Sequence, residues 1–385
     1  MIFIDWLTIS QTFTGTLSDS GEVVPSIPQV DSGAMIKASR NSDTQEINDE
    51  PDWISYSKVF HKGSFSSGIA VRSDGFRVDL SGNVGRFNRP DNLFNLCFDE
   101  TVSKASELVA SFGLPAFSTG EFQTNPNPSE YDLERGLLTV WTGATVSQIH
   151  LTENYCTGSE ANARAAIDWL ATQSKSHVKR GRAGESTMAW GRKGGRQYLK
   201  AYIKADEMLA HAKDHGRTRE EVLNDPVYKF CRENGVIRFE LEAGRLLLRD
   251  SGLRYLGDIT MEKLEAVFRA EVDPIINRVR PDICSFDIDS LDIPTGAKLA
   301  LKLYLDGKNP RDSIPARTFR RYVSVVREYG FDISEPLQPS QVINTVFRVL
   351  DFAPIHDAPS WYWDHQKNLG LNAANTPNFN NLQVA

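Results

Sequence analysis

Residues 197–205 read QYLKAYIKA, a stretch in which apolar and polar side chains alternate without a break. Successive side chains of a β-strand point to opposite faces, so this period of two predicts a strand. Its apolar face carries Leu199, Ala201, Ile203 and Ala205, and its polar face carries Tyr198, Lys200, Tyr202 and Lys204. We therefore expect a sheet with one face in the core and one chemically rich polar face.

Two more stretches have the same organisation. Residues 148–154 read QIHLTEN and residues 236–243 read VIRFELEA. The polar positions of the first are Gln148, His150, Thr152 and Asn154, while Glu153 interrupts its apolar face. The polar positions of the second include Arg238, Glu240 and Glu242. An ordinary antiparallel sheet with one solvated face is the simple alternative. Histidine, paired carboxylates and a tyrosine between lysines instead favour a reactive site.

Carboxylate and imidazole groups on these strands suggest a metal site. We expect His150 and Glu240, with Glu242 or Glu207 as support, to hold one Mg²⁺ or Mn²⁺ ion. A metal beside a phosphate polarises the phosphoryl oxygen and neutralises the charge that develops in the reaction. The sequence thus predicts chemistry on a phosphodiester.

Tyr202 is the predicted nucleophile of that chemistry, because it alone lies between two lysines of one strand. A phenol is a weak nucleophile at neutral pH until a base, a cation or a metal favours its phenolate. Lys200 or Lys204 would supply the cation. A tyrosine that attacks a phosphodiester forms another diester, so the bond energy is retained for rejoining.

Basic residues are clustered although the net charge of the 385-residue chain is −7. Between Lys175 and Lys204, where Glu185 is the only glutamate or aspartate, the basic residues include Lys179, Arg180, Arg182, Arg192, Lys193, Arg196 and Lys200. We predict phosphate contacts for this run, with a solvated face as the alternative. Arg86 and Arg89, in the turn-rich segment 83–93, either clamp a DNA backbone or belong to a structured loop.

The pattern along the chain predicts an α+β fold. Residues 1–256 should form a catalytic domain with an antiparallel sheet and helices on one face. Asp74-Gly75 predicts a hairpin over 67–82, and the polar residues 18–52 predict a long mobile loop or loose hairpin. Residues 257–370 should form a mainly helical domain, followed by a polar tail over 371–385.

A predicted helix over 314–329 carries Arg320 and Arg321 and follows a predicted helix near 297–305. The pair suggests a helix-turn-helix that reads duplex DNA, although a solvated basic helix has the same pattern.

Composition sets the expected location. No apolar run approaches the ~20 residues that span a bilayer, and no signal-peptide pattern opens the chain. The four cysteines are far apart, which is not typical of a zinc site or a disulfide framework. We expect a cytosolic, reduced protein with no membrane partner.

Over most of its length the chain resembles the gene II/X replication initiators of filamentous phages, RstA-like proteins among them. The similarity includes IDWLTIS near the start, GSFSSGIAVRSDGFRVDLSGNVGRFNRPDNLF at 63–94, QIHLTENYCTG at 148–158, AYIKADEML at 201–209 and GVIRFELE at 235–242.

The resemblance implies a rolling-circle Rep or relaxase-like fold. It also implies site-specific nicking and closing of the phage plus-strand origin through a 5′-phosphotyrosine. The family's Y-[ILV]-K motif corresponds to Tyr202 and Lys204, with Glu207 following. The implied partners are double-stranded replicative-form DNA, single-stranded origin DNA, and a host helicase and polymerase.

His150 departs from the family pattern, which commonly has aspartate there. The metal site then either survives with altered preference or is lost. A catalytically inactive DNA-binding regulator on the same fold therefore remains an alternative. A plasmid mobilisation relaxase is another, although the HxH motif frequent in relaxases is absent from this sequence.

Overall fold

The computed structural model describes residues 2–20, 23–38, 53–125, 128, 130–136, 138–171, 173, 180–276, 288–329, 331–334 and 352–372. The strands are β1 (Phe3–Thr12), β2 (Thr16–Leu17), β3 (Val23–Val24), β4 (Gln29–Val30), β5 (Ala34–Lys37), β6 (Trp53–Tyr56), β7 (Val59–Lys62), β8 (Gly68–Asp74), β9 (Arg77–Gly82), β10 (Phe122–Thr124), β11 (Thr139–Trp141), β12 (Ala144–Cys156), β13 (Arg180–Gly184), β14 (Thr187–Gly191), β15 (Gln197–Ile203), β16 (Val236–Gly244) and β17 (Ala353–Pro354).

The α-helices are α1 (Phe98–Ala110), α2 (Glu130–Glu134), α3 (Glu160–Leu170), α4 (Lys204–Ala210), α5 (Arg219–Asn224), α6 (Pro226–Glu233), α7 (Arg245–Asp250), α8 (Met261–Ile276), α9 (Thr295–Leu305), α10 (Ala316–Arg327) and α11 (Ser360–Asn372).

Chain contacts define two compact units. Unit 1 comprises Met1–Ile2, Leu151–Ala243 and Glu265–Tyr362, and unit 2 comprises Phe3–His150, Gly244–Leu264 and Trp363–Ala385. These are units of packing, and the predicted functional boundary near residue 256 stays a prediction.

Unit 1 contains the QYLKAYIKA strand, β15. Its strands follow the order β13-β14-β15-β16-β12, and β17 pairs with β12. The pairs β13–β14, β14–β15 and β15–β16 are antiparallel. The apolar positions Leu199, Ala201 and Ile203 of β15 are buried, as the alternation predicts. The period of two therefore fixes which side chains of β15 share a face with Tyr202.

Unit 2 is built on the order β12-β1-β9-β8-β4, with β7 also paired to β8. The predicted hairpin is confirmed, since β8 and β9 pair in antiparallel register around Asp74 and Gly75. The Asp74 carboxylate accepts hydrogen bonds from the backbone amides of Phe76 and Arg77, and Gly75 has a φ of 92°. That left-handed conformation explains why glycine stands there.

The segment 18–52, predicted as a long mobile loop or loose hairpin, forms short paired strands in the part that the structure describes. Residues 23–38 contain the short strands β3, β4 and β5, which pair with β2, β8 and β6. Short β-forming groups such as Val23-Val24 find partners despite the nearby Pro and Asp residues. The remainder of the predicted loop, 39–52, lies outside the described residues.

The C-terminal part contains the predicted helices α9 and α10, each of which begins directly after an Ile-Pro pair. Their buried side chains form one core cluster with residues of the following segment. Residues 373–385 of the predicted polar tail lie outside the described residues.

The fold class is α+β with a large antiparallel sheet and C-terminal helices, as predicted. Within the described residues, no helix combines the length and the apolar character that a bilayer crossing needs.

Candidate active site

Tyr202, Lys200 and Glu240 meet on one face of β15 and β16. The Tyr202 hydroxyl donates to Glu240 Oε2 at 3.3 Å, and Lys200 Nζ lies 3.0 Å from the same oxygen. The register pairs Lys200 with Glu240, and Tyr202 is two residues along the same strand. The ammonium also lies 5.6 Å from the centre of the Tyr202 ring. The structure thus brings together a phenol, a carboxylate and a cation.

This polar face is covered by protein. Tyr202 is 7% exposed and Glu240 is 8% exposed, while Lys200 is half-buried. The simple alternative of a solvated sheet face is therefore wrong for these strands. Burying charges is costly unless they are paired and hydrogen-bonded, as Lys200 and Glu240 are.

Lys204 lies in a helix, whereas the alternation predicted that it would lie in the strand. The strand ends at Ile203, and Lys204 is the first residue of α4. The acidic residues Asp206 and Glu207 occupy the first turn of that helix, where negative charge is favourable. The predicted strand position of Lys204 and Ala205 is therefore wrong, because the helix takes over where the acidic residues begin.

A short ion pair joins Lys204 and Glu207. Lys204 Nζ lies 2.7 Å from Glu207 Oε2, and Lys204 is 2% exposed. Burial alone would raise the pKa of the Glu207 carboxyl, but Lys204, with smaller contributions from Arg238 and His211, holds that pKa below its ordinary value. Glu207 therefore stays ionised at neutral pH and pairs with a buried lysine beside the strand end.

Arg238 is a site residue to which sequence reasoning gave no role. It pairs with Tyr202 in the β15–β16 register, is fully buried, and donates from Nε to Asn154 Oδ1 at 2.9 Å. Its signal was present, since an arginine in a strand whose alternate positions are apolar needs a partner once the strand is buried. Arg238 places a permanent positive charge next to the phenol's strand.

Glu242 supports the turn between β14 and β15. Its Oε1 accepts a hydrogen bond of 3.0 Å from the Gly194 amide, and Tyr198 pairs with Glu242 in the register. Tyr198 is half-buried and therefore more accessible than Tyr202. The two tyrosines share a strand face, which makes Tyr198 the natural comparison for any test of Tyr202.

The basic residues between Lys175 and Lys204 lie partly in β13 and partly in the turn between β14 and β15. Arg192, Lys193 and Arg196 are exposed in the turn over 192–196. Arg180 and Arg182 belong to β13 by their backbone, but their side chains lie outside the described residues, as does all of Lys179. The phosphate-contact role of the run stays a prediction.

His150 belongs to unit 2, whereas Glu240 belongs to unit 1, so the predicted proximity of the two stays a prediction. His150 Nε2 lies 3.1 Å from the Gln148 amide nitrogen, and its ring stacks on Trp6 with centres 5.9 Å apart. These contacts fix the orientation of the imidazole.

The three carboxylates that were predicted to bind a metal each have a partner within the protein. Glu240 binds Lys200 and Tyr202, Glu242 accepts from Gly194, and Glu207 pairs with Lys204. In the part of the chain that the structure describes, no three His, Cys, Asp or Glu residues are grouped so as to hold a metal ion. The metal-binding role of these residues therefore stays a prediction.

Arg86 and Arg89, which were also predicted to contact DNA, lie in the turn-rich segment 83–93. Arg89 donates to the carbonyls of Gly85 and Phe94 at 2.9 and 2.6 Å, and its guanidinium lies 5.2 Å from the Trp363 ring centre. Arg86 is bound through its backbone amide to Asn83 at 3.0 Å. These bonds stabilise the loop itself.

Sequence reasoning missed one buried charge cluster. Glu153 is fully buried and receives two hydrogen bonds from Arg269 of α8, at 2.5 and 2.7 Å, and one from the Tyr155 hydroxyl. Burial would raise the pKa of the Glu153 carboxyl, but these donors hold it below its ordinary value. The glutamate that interrupts an apolar strand face was the available signal, since a buried carboxylate requires a distant cation.

Comparison with known families identifies the chain. Residues 3–262 match the sequence profile of a family described as the N-terminal part of a replication-associated protein, the phage gene II product. The chain belongs to this family. The match includes β15, β16 and the Tyr202 site, and it ends before the helices α9 and α10.

Two curated relatives carry the name of the same replication-associated protein. The protein of Escherichia phage If1 is 30% identical over 200 residues, which are 49% of this chain and 61% of the relative. The protein of Enterobacteria phage I2-2 is 26% identical over 199 residues, which are 50% of this chain and 56% of the relative. The matches thus span less than two thirds of each relative.

A rolling-circle replication initiator protein from Geobacillus stearothermophilus was found among solved structures, with 11% identity and a TM-score of 0.23, over 87% of this chain and 99% of that one. A likeness of this size supports no argument about the site.

Proposed function

We propose that this chain initiates rolling-circle replication by nicking and rejoining one strand of phage DNA through Tyr202. The observation that carries the proposal is the hydrogen bond from the Tyr202 hydroxyl to a carboxylate that is also paired with Lys200. Family membership supports the replicative role, and the buried, polar, preorganised setting supports the chemical one.

In the proposed step the Tyr202 oxygen attacks the scissile phosphorus and the bond from phosphorus to the 3′ oxygen breaks. The phenol proton passes to the Glu240 carboxylate, which already accepts it as a hydrogen bond. The departing 3′ oxygen takes a proton from Lys200 or solvent. The products are a 5′-phosphotyrosine and a free 3′-hydroxyl, and reversal of the step rejoins the strand.

Lys200 and Arg238 also have positioning roles in this proposal. Lys200 holds Glu240 at the phenol, and Arg238 lies across from Tyr202 in the register. Because Tyr202 is only 7% exposed, the DNA strand must open the protein locally to reach it. A divalent cation, Mg²⁺ or Mn²⁺, enters the proposal as a requirement of the reaction and without assigned ligands.

The decisive experiment compares two tyrosine variants of the full chain. Wild type, Tyr202→Phe and Tyr198→Phe are incubated with supercoiled DNA of the encoding replicon and Mg²⁺ or Mn²⁺, and covalent protein–DNA adducts are measured. We expect wild type and Tyr198→Phe to form the adduct and Tyr202→Phe to form none while still binding DNA. Loss with Tyr198→Phe alone would transfer the role to Tyr198.

A catalytically inactive DNA-binding regulator is the second candidate. The burial of Tyr202 and the engagement of all three proposed ligand carboxylates favour it. A wild-type chain that binds the DNA without nicking it under any metal condition would establish this alternative. The proposed partners are replicative-form and single-stranded origin DNA with a host helicase and polymerase, in the bacterial cytoplasm.

A further inference from the structure

Residues 288–334 contain a separate small core. Buried residues from α9, α10 and the segment after them pack together, namely Ala297, Ala300, Leu301, Tyr304, Phe319, Val323, Val326, Phe331 and Ile333. The α10 members recur at i, i+4 and i+7, which places them on one side of the helix. Packing therefore fixes the orientation of α10 and leaves its opposite side exposed.

The exposed side of α10 is an arginine face, formed by Arg317, Arg320 and Arg321 with Ser324. The spacing i, i+3, i+4 and i+7 brings these side chains together on the helix surface. Their long guanidinium groups are all exposed. The only acidic residue within α10 or directly after it is Glu328, at its C-terminal end.

Some cations of this small core are paired with acidic side chains, whereas these three arginines are not paired within the described residues. Lys302 pairs with Asp289 at 2.8 Å, and Arg327 pairs with buried Asp332 at 3.1 Å. Within the described ranges, Arg317, Arg320 and Arg321 form no ion pair with an acidic side chain. Three adjacent and exposed arginines create a local positive field in a chain of net charge −7.

A groove runs beside the arginine face. It has a volume of about 420 Å³, and Phe319 and Val323 contribute to its apolar lining, with Arg311 and Arg320 also on its wall. The Arg311 guanidinium lies 5.3 Å from the Phe319 ring centre, which holds it in place. The groove thus adds a fourth arginine next to the exposed face.

We infer that α10 enters the major groove of duplex DNA and reads guanine edges with its arginine face, at a site separate from the Tyr202 chemistry. This inference rests on the proposed function in that it assigns the DNA partner a second contact. A helix with side chains is ~10–12 Å across and the major groove is ~12 Å wide. Arginine is the side chain best suited to the two acceptors of guanine.

The arrangement is related to a helix-turn-helix but differs in its connection. Ten residues, 306–315, separate α9 from α10, whereas the usual turn has three or four. Since α9 and α10 share one core cluster, the longer connection still leaves α9 as the packing support of α10.

The test compares two triple variants of the full chain that remove the same charge. Arg317→Ala/Arg320→Ala/Arg321→Ala removes the arginine face, and the control Lys298→Ala/Lys302→Ala/Lys308→Ala removes three lysines on or just after α9. Thermal unfolding of both variants establishes that the exposed substitutions leave the fold intact. Fluorescence anisotropy measures binding to duplex fragments tiled across the replicon and to a shuffled duplex.

We expect the arginine variant to lose about ten-fold or more in affinity for the preferred fragment and most of its preference over the shuffled duplex. The lysine control should retain both. Equal binding by the two variants would overturn the inference, and so would an equal loss on both duplexes with preference unchanged. The adduct assay with Tyr202→Phe is independent, so the nicking proposal can fail while this binding result stands.

Discussion

Removing Arg269 should lower the free energy of unfolding, because the buried Glu153 carboxylate loses its cationic partner. Glu153 is fully buried and accepts hydrogen bonds from the two terminal nitrogens of the Arg269 guanidinium, whereas the Arg269 side chain is 27% exposed. Breaking a buried pair typically costs about 3–5 kcal/mol of unfolding free energy. Because the arginine is partly solvated, we expect the low end, about 3 kcal/mol, for Arg269→Ala at pH 7.

The pH dependence gives the reasoning a sharper test. A carboxyl with a lowered folded-state pKa stabilises the fold above its unfolded pKa of about 4.3, and this contribution is lost as the pH falls through the folded value. In Arg269→Ala the Glu153 carboxyl loses the hydrogen bonds that lower its pKa. Burial then raises that pKa, so acid neutralises the buried charge. The stability gap between wild type and variant should therefore narrow from pH 7 to pH 4.

Urea unfolding at pH 7 and pH 4 measures both effects. The matched control is Arg164→Ala on α3, whose pair with Glu160 is about half exposed and should contribute under about 1 kcal/mol. If Arg269→Ala costs no more than Arg164→Ala at pH 7, or if its gap widens on acidification, the assignment of Glu153 as a paired buried carboxylate is wrong.

Three further outcomes follow from the site. Lys204→Met should lower the free energy of unfolding by about 2 kcal/mol at pH 7, because Glu207 loses its hydrogen-bond donor. The loss should be smaller at acid pH, where Glu207, whose pKa is lowered in the wild type, becomes protonated. Urea unfolding measures both values. Charge reversal at Arg192, Lys193 and Arg196 should reduce the salt dependence of duplex binding, with a change of about 0.9 in slope for each phosphate that is no longer neutralised, and an unchanged slope would assign the turn to a solvated surface. Chelation with EDTA should abolish adduct formation and leave duplex binding intact; nicking that persists in EDTA would remove the metal from the proposal.

Local pattern predicted the strands and their faces well. Alternation over 197–205 placed Leu199 and Ile203 in the core and Tyr202 beside Lys200, and Asp74-Gly75 marked a real hairpin. These features depend on the period of the strand and on the backbone freedom of glycine, which are local properties. The same rules failed at Lys204, because the end of a strand depends on competition with the helix that follows.

The sequence by itself determined which residues share a strand face, and through the family motif it singled out Tyr202. Only the tertiary structure decided that Glu240 receives the Tyr202 hydroxyl, that Glu207 serves Lys204, and that Glu153 finds its partner 116 residues away in Arg269. The physical reason is that a buried charge must be neutralised by whichever partner the packing brings within about 3 Å. The sequence pattern indicates that such a buried charge needs a partner, and the fold decides which residue that partner is.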